Sequence, residues 1–110
     1  SSRHGSTKSM QWPFEAWGAS AVFSGHDHVY QRITSKENPN FPYVVNGLGG
    51  RWGFYDCDIT PLDTELFDSF CFNQNYGAIQ ATANKDQLTI KLYAIDDDQN
   101  PIDEFVILDD

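Results

Sequence analysis

The sequence predicts a mostly β chain with one short helix. Three observations carry that reading. Apolar and polar residues alternate with period two in short runs, most clearly where Leu88, Ile90 and Leu92 interleave with Thr89, Lys91 and Tyr93. Clusters of Gly, Asn, Asp and Pro punctuate those runs. Only residues 10–17 carry apolar side chains at helical spacing, with Met10, Phe14 and Trp17 at i, i+4 and i+7.

Residues 1–9 read as a polar, Gly-containing loop. The helix expected over 10–17 has Ser9 as N-cap, Pro13 near its first turn and Gly18 at C′, and its apolar stripe is expected to pack in the core. Residues 19–24 form a short apolar strand that runs into Gly25-His26-Asp27-His28, and residues 29–33 the next strand. A loop with two prolines follows over 35–42, then a strand over 43–46 ending in Gly47-Leu48-Gly49-Gly50. Residues 51–74 read as one long irregular segment, and loops of that length are often functional. The last third reads as a β-meander of strands over 76–83, 88–95 and 102–108, with turns at 84–86 and 96–101.

A chain of 110 residues, 40% hydrophobic and 15% aromatic, has enough apolar side chains for one small core. Seven Lys and Arg against 16 Asp and Glu give a net charge of −9, which argues against nucleic acid and anionic membrane surfaces as partners. The Asp96-Asp97-Asp98 cluster and the Asp109-Asp110 pair read as solvated turn and tail charges, because they lack the spaced ligands and Gly of a Ca²⁺ loop. No apolar run is long enough to span a bilayer. The opening Ser1-Ser2-Arg3-His4 lacks an initiator Met and reads as mid-domain sequence, so a fragment or one chain of a cleaved protein is expected.

Cys57 and Cys71 bracket a polar, acidic stretch. A disulfide closing a loop of about 15 residues contributes about 3 kcal/mol and implies an oxidising compartment. The alternative is two reduced thiols, one buried beside Phe70 and Phe72.

Two of the three histidines of the chain lie in Gly25-His26-Asp27-His28. In an extended backbone residues i and i+2 point the same way with Cα atoms roughly 6.6 Å apart. Two bridged metal ions sit about 3.5–4 Å apart, so each imidazole has the reach to hold one ion. The plainer alternative is a pair of histidines facing solvent at a strand end.

Taken with their surroundings, these residues resemble the calcineurin-like metallophosphoesterases, most closely the purple acid phosphatase-like branch. The resemblance is carried by His4-Gly5-Ser6, by Gly25-His26-Asp27-His28-Val29-Tyr30-Gln31-Arg32 and by Tyr43-Val44-Val45-Asn46-Gly47-Leu48-Gly49-Gly50. The Gly77-Ala78, Leu88 and Ile102-Asp103 strands also look like that family's ending, and residues 51–74 match least.

The resemblance implies that residues 1–110 are the C-terminal portion of one catalytic domain, an α/β fold with the four-layer α/β/β/α sandwich of the family. It implies hydrolysis of phosphomonoesters at a dinuclear centre of Fe³⁺ plus Zn²⁺, Mn²⁺ or Fe²⁺, with His26 on the divalent ion and His28 on the other. His4 takes the place of a His that faces the phosphate and protonates the leaving group, a task suited to imidazole near neutral pH. Metals at the site also answer how a −9 chain attracts an anionic substrate, since bound cations dominate the local field.

The family's Asp-x-His, Gly-Asp-x-x-Asp, Gly-Asn-His and further His motifs are absent from this sequence, as is a Tyr ligand. The segment alone is therefore expected to be inactive, to require the N-terminal portion of the same domain, and to expose a sticky sheet edge without it. Gln31 stands where plant relatives commonly carry Glu, and Asp27 where they carry Val or another residue; both can tune hydrogen bonds behind the ligands. Asp27 reads as a carboxylate that structures the loop, and Tyr30 and Arg32 as residues that pack and pair. The glycines of 46–50 either let the backbone approach the metal pocket or serve a loop with positive φ. Asn46 and Arg51 are weak candidate phosphate contacts. Trp52, Phe54 and Tyr55 either wall the substrate or seal the insertion against the sheet.

Two other functions fit the motifs: a phosphodiesterase of the same superfamily, and a non-catalytic β-sandwich binding module. A cupin is excluded, because Ser20 stands where its Gly belongs, and Gln31 and Arg32 stand near the position of its Glu. The acidic composition and the cysteine pair point to a secreted or extracytoplasmic protein.

Overall fold

The structure, a computed structural model, describes residues 7–57 and 62–109. It contains seven strands in two sheets: β1 (Val22–Ser24), β2 (Tyr30–Ser35), β3 (Pro42–Asn46), β4 (Phe67–Phe72), β5 (Gly77–Ala83), β6 (Gln87–Ala94) and β7 (Asp103–Leu108). The first sheet has the order β1-β3-β2-β4, with β1 parallel to β3 and the other pairs antiparallel. The second is the antiparallel meander β5-β6-β7.

The expected meander is present, and its turns form as their residues dictate. The Asn84 side-chain oxygen accepts the backbone N–H groups of Asp86 and Gln87. The Asp97 carboxylate accepts those of Gln99 and Asn100, which hold it below the usual carboxylate range. Alternation along β6 buries Ile90, Leu92 and Ala94 on one face.

The helix expected over 10–17 does not form. Pro13 has no N–H to donate to the preceding turn, and its ring drives Trp12 out of helical backbone. A 3-10 turn spans Lys8–Met10, and a single α-type turn follows, with Trp17 N–H bonded to the Pro13 carbonyl. The expected Gly18 signal is nonetheless used. With φ +84 it closes that turn, Gly18 N–H bonding Glu15 and Ala19 N–H bonding Phe14. The apolar stripe is not core: Met10 is 61% and Trp17 65% exposed. The rings of Trp12, Phe14 and Trp17 instead pack on one another at 5.8–6.4 Å.

The irregular segment expected over 51–74 contains a strand, β4. Its Phe70 and Phe72 lie opposite Arg32 and Tyr30, which places them on the inner face of the first sheet. One core lies between the sheets. Tyr30, Val44, Leu48 and Leu92 are its fully buried centre, and Phe70, Phe72, Ile79, Ile102 and Phe105 pack around it.

A polar lock crosses that core. The Tyr30 hydroxyl donates to Asp103 Oδ2 at 2.7 Å, and Arg32 donates through Nε and Nη2 to both carboxylate oxygens at 2.8 and 3.0 Å. The guanidinium also lies 5.0 Å over the Phe105 ring. Burial alone would raise the Asp103 carboxyl, but the bonds from Arg32 and Tyr30 hold it below its ordinary value. Burial and the bond to Asp103 push the Tyr30 hydroxyl far up, so it stays a neutral donor. Tyr30 and Arg32 thus pack and pair as their sequence context implied. Asn40 adds a second stitch, exchanging two hydrogen bonds with the backbone of Leu108.

The described residues are mostly β with almost no helix. No helix among them is long and apolar enough to cross a membrane.

Candidate functional site

The Gly-His-Asp-His segment connects β1 to β2 and stands at the end of the first sheet where Asn46 ends β3. It is not extended. His26 has φ +78, a left-handed conformation that costs a β-carbon-bearing residue about 1–2 kcal/mol. Asp27 C=O accepts the Val29 N–H at 2.8 Å, a tight turn around His28. The two imidazoles are therefore set by a bend and not by strand alternation. The reason is that the chain must reverse direction between β1, parallel to β3, and β2, antiparallel to it.

Gly47 makes the bend possible. A β-carbon there would stand 1.8 Å from the Asp27 carbonyl oxygen and 3.2 Å from the His28 Cα. Gly47 N–H also bonds the Val29 carbonyl at 2.9 Å. Within the glycine-rich stretch, Gly50 has the positive φ (+127) of the plain-loop reading, and the close approach at Gly47 is to the Asp27 and His28 backbone. Asn46 turns its side chain back on this loop, Oδ1 accepting the Leu48 N–H at 3.3 Å.

His26 is exposed, Asp27 is buried at 3% exposure, and His28 is half-buried. His28 is held from the 51–57 segment. Its Nδ1 lies 2.7 Å from the Gly53 carbonyl oxygen, which can only accept, so Nδ1 carries a proton and in the neutral ring Nε2 keeps the lone pair. The Tyr55 ring stacks on the imidazole at 4.7 Å and 29°. Tyr55 N–H bonds the His28 carbonyl at 3.1 Å. A backbone carbonyl on one ring nitrogen is the usual arrangement behind a metal-ligating histidine, so His28 fits a metal on Nε2.

Cys57 and Cys71 are joined, with Cα atoms 5.9 Å apart. Of the aromatic trio, Tyr55 meets His28, Phe54 packs on Tyr76 at 5.0 Å, and Trp52 is 77% exposed. Arg51 is exposed. His4 lies outside the described residues. Two clefts of about 400 Å³ open elsewhere, one beside Leu48, Tyr76 and Tyr93 and the other between Glu15, Asn38 and Leu108. Neither has His26 or His28 in its wall. Among the described residues no group of three or more His, Cys, Asp or Glu side chains converges as a metal site.

Sequence reasoning missed Gly53 and the pairing of Asp103 with Tyr30 and Arg32, and it named Tyr55 only as part of an aromatic wall or seal, not as a partner of His28. Gly53 is 25 positions from His28, and Asp103 is 73 from Tyr30. No local pattern signals pairings at such separations, although the positive φ of Gly53 (+89) is of the kind that a glycine in an aromatic loop suggests.

No family model, curated protein or solved structure matches this chain.

Proposed function

We propose that this chain contributes His26 and His28 to a dinuclear metal centre that hydrolyses phosphomonoesters, as in the purple acid phosphatase-like branch of the calcineurin-like metallophosphoesterases. The observation that carries the reading is the state of His28: its Nδ1–H is committed to the Gly53 carbonyl, and its Nε2 lone pair is left for a ligand. His26 supports it, because a left-handed conformation at a histidine is the kind of local cost that functional segments retain.

The metals, when bound, supply Lewis acidity toward water and the phosphoryl oxygens. This chain's own residues do the rest. His28 presents Nε2 in one orientation, Gly47 admits the bend that carries both histidines, and the Cys57–Cys71 disulfide holds the covering segment. His4 is the proposed proton donor to the leaving group. Asn46 and Arg51 are proposed contacts for the substrate phosphate. Fe³⁺ with Zn²⁺, Mn²⁺ or Fe²⁺ is the proposed pair, the remaining ligands coming from the N-terminal portion of the same domain. A phosphodiester substrate would suit the same histidines. The disulfide fits a secreted or extracytoplasmic location.

The second reading is a non-catalytic β-sandwich module. It is favoured by the two sheets that close over one core built from this chain's own side chains.

Elemental analysis of the intact, natively purified protein, paired with p-nitrophenyl phosphate turnover, separates the two. The phosphatase reading expects near two metal equivalents, and loss of metal and turnover in His28→Ala. Metal-free, inactive and stably folded protein would leave the binding module.

A further inference from the structure

We propose that Tyr55 and the Gly53 carbonyl are positioning groups for His28, and that the Cys57–Cys71 disulfide is the anchor that keeps them in place. The inference rests on the metallophosphoesterase reading for what His28 is positioned toward.

Three contacts reach His28 from two residues of one short segment, Gly53 and Tyr55. The Gly53 carbonyl accepts Nδ1–H, the Tyr55 ring lies against the imidazole face, and the Tyr55 N–H bonds the His28 carbonyl. Together they fix the ring's tautomer, its plane and its backbone. The donor segment has no regular structure of its own to maintain that geometry, and residues 51–54 are exposed. An exposed loop without a ladder holds a carbonyl at 2.7 Å only if something else ties it down.

Phe54 packs on Tyr76, and two further ties come from β4 or its end. Asn73 Nδ2 donates to the Tyr55 carbonyl at 2.9 Å, and Cys57 is bonded to Cys71. Cys71 in turn lies opposite Gln31, three positions beyond His28 along the chain. The path from His28 along β2, across the ladder to Cys71, through the disulfide to Cys57 and back by Tyr55 to His28 is a closed ring. A disulfide that only stapled the insertion would not require the segment inside that ring to end on the imidazole. Gly53 fits the role: a β-carbon there meets nothing within 4 Å, so it is the φ of +89, and with it the aim of its carbonyl, that calls for glycine.

The test uses the intact protein in three forms: Tyr55→Phe, Tyr55→Ala, and Cys57→Ser combined with Cys71→Ser. Long-range ¹H–¹⁵N NMR of the metal-free protein reads the His28 tautomer, and a Zn²⁺ titration against a competing chelator reads affinity. Wild type and Tyr55→Phe, which keeps the ring, are expected to show a single Nδ1–H tautomer and equal affinity. Tyr55→Ala and the cysteine variant are expected to lose the single tautomer and to bind Zn²⁺ roughly 10–100-fold more weakly. Unchanged tautomer and affinity in Tyr55→Ala would overturn the proposal, even if the cysteine variant does not fold. A wild type that binds no Zn²⁺ while its tautomer still depends on Tyr55 would support the clamp and overturn the metal function it rests on.

Discussion

Tyr30 and Arg32 are held by Asp103 across the core, with three hydrogen bonds and an aromatic ring beneath the guanidinium. Four positions before Tyr30, His26 is exposed and left-handed, and His28 is held only by a loop. These residues belong to one eight-residue motif, yet its second half is tied across the core and its first half lies in a bend at the end of the sheet. The lock pairs the Asp103 carboxylate with the Arg32 guanidinium, so removing either one leaves the other's charge uncompensated. The histidine bend costs conformational energy at His26, while Asp27 is buried in it and His28 stacks on Tyr55. A motif read as a single signature is therefore two devices, one pinned across the core and one, under the proposed function, that would meet a ligand.

The comparison breaks most visibly at Asp103. Asp103→Ala leaves the Arg32 guanidinium and the buried Tyr30 hydroxyl without their acceptor, and urea unfolding should show a loss of about 3 kcal/mol. If the two halves are independent, the folded fraction of that variant keeps its metal affinity. Equal loss of affinity would show that the lock also places the histidines.

Gly47→Ala attacks the other half through its backbone. The added methyl meets the Asp27 carbonyl, so the bend must move, at a cost of about 2 kcal/mol in the same unfolding assay. Metal affinity should fall with it, unlike in Asp103→Ala.

Acid sharpens the contrast. The folded Asp103 carboxyl titrates below its unfolded value, so its contribution is fully present above about pH 5 and is lost as pH falls through the folded value. The unfolding midpoint of the wild type should drop on acidification below about pH 4. In Asp103→Asn that part of the slope should be missing, and an unaltered slope would mean the lock does not govern acid stability.

The smallest effect is expected at His26. His26→Gly removes the left-handed penalty and should leave stability unchanged or raise it by up to about 1 kcal/mol, while metal is lost. Destabilisation by His26→Gly would show that the imidazole serves the fold after all.

Legibility in the sequence followed the range of the interactions. The meander over β5–β7 was plain because its alternation, turns and pairings are all local, and Gly18 announced its turn because one residue sets that backbone. The helix over 10–17 was misread because periodicity outweighed a single Pro13 whose missing N–H decides the matter. β4 was missed because Asp68 and Ser69 interrupt its apolar pattern, and only pairing to β2 makes it a strand. At the candidate site the residue types were legible, but not their arrangement. The close approach of Gly47 to Asp27 and the embrace of His28 by Gly53 and Tyr55 join segments 20 or more positions apart, and the bend at His26 forms against them.

By itself the sequence determined which side chains carry chemistry, where the meander turns, and which cysteines are available to pair, because those depend on residue identity and neighbours along the chain. The tertiary structure decided that Tyr30 and Arg32 meet Asp103, that Gly47 must lack a side chain, and that His28 shows Nε2 rather than Nδ1. Each of those is a contact between distant segments, and such contacts exist only once the sheets have closed over a common core.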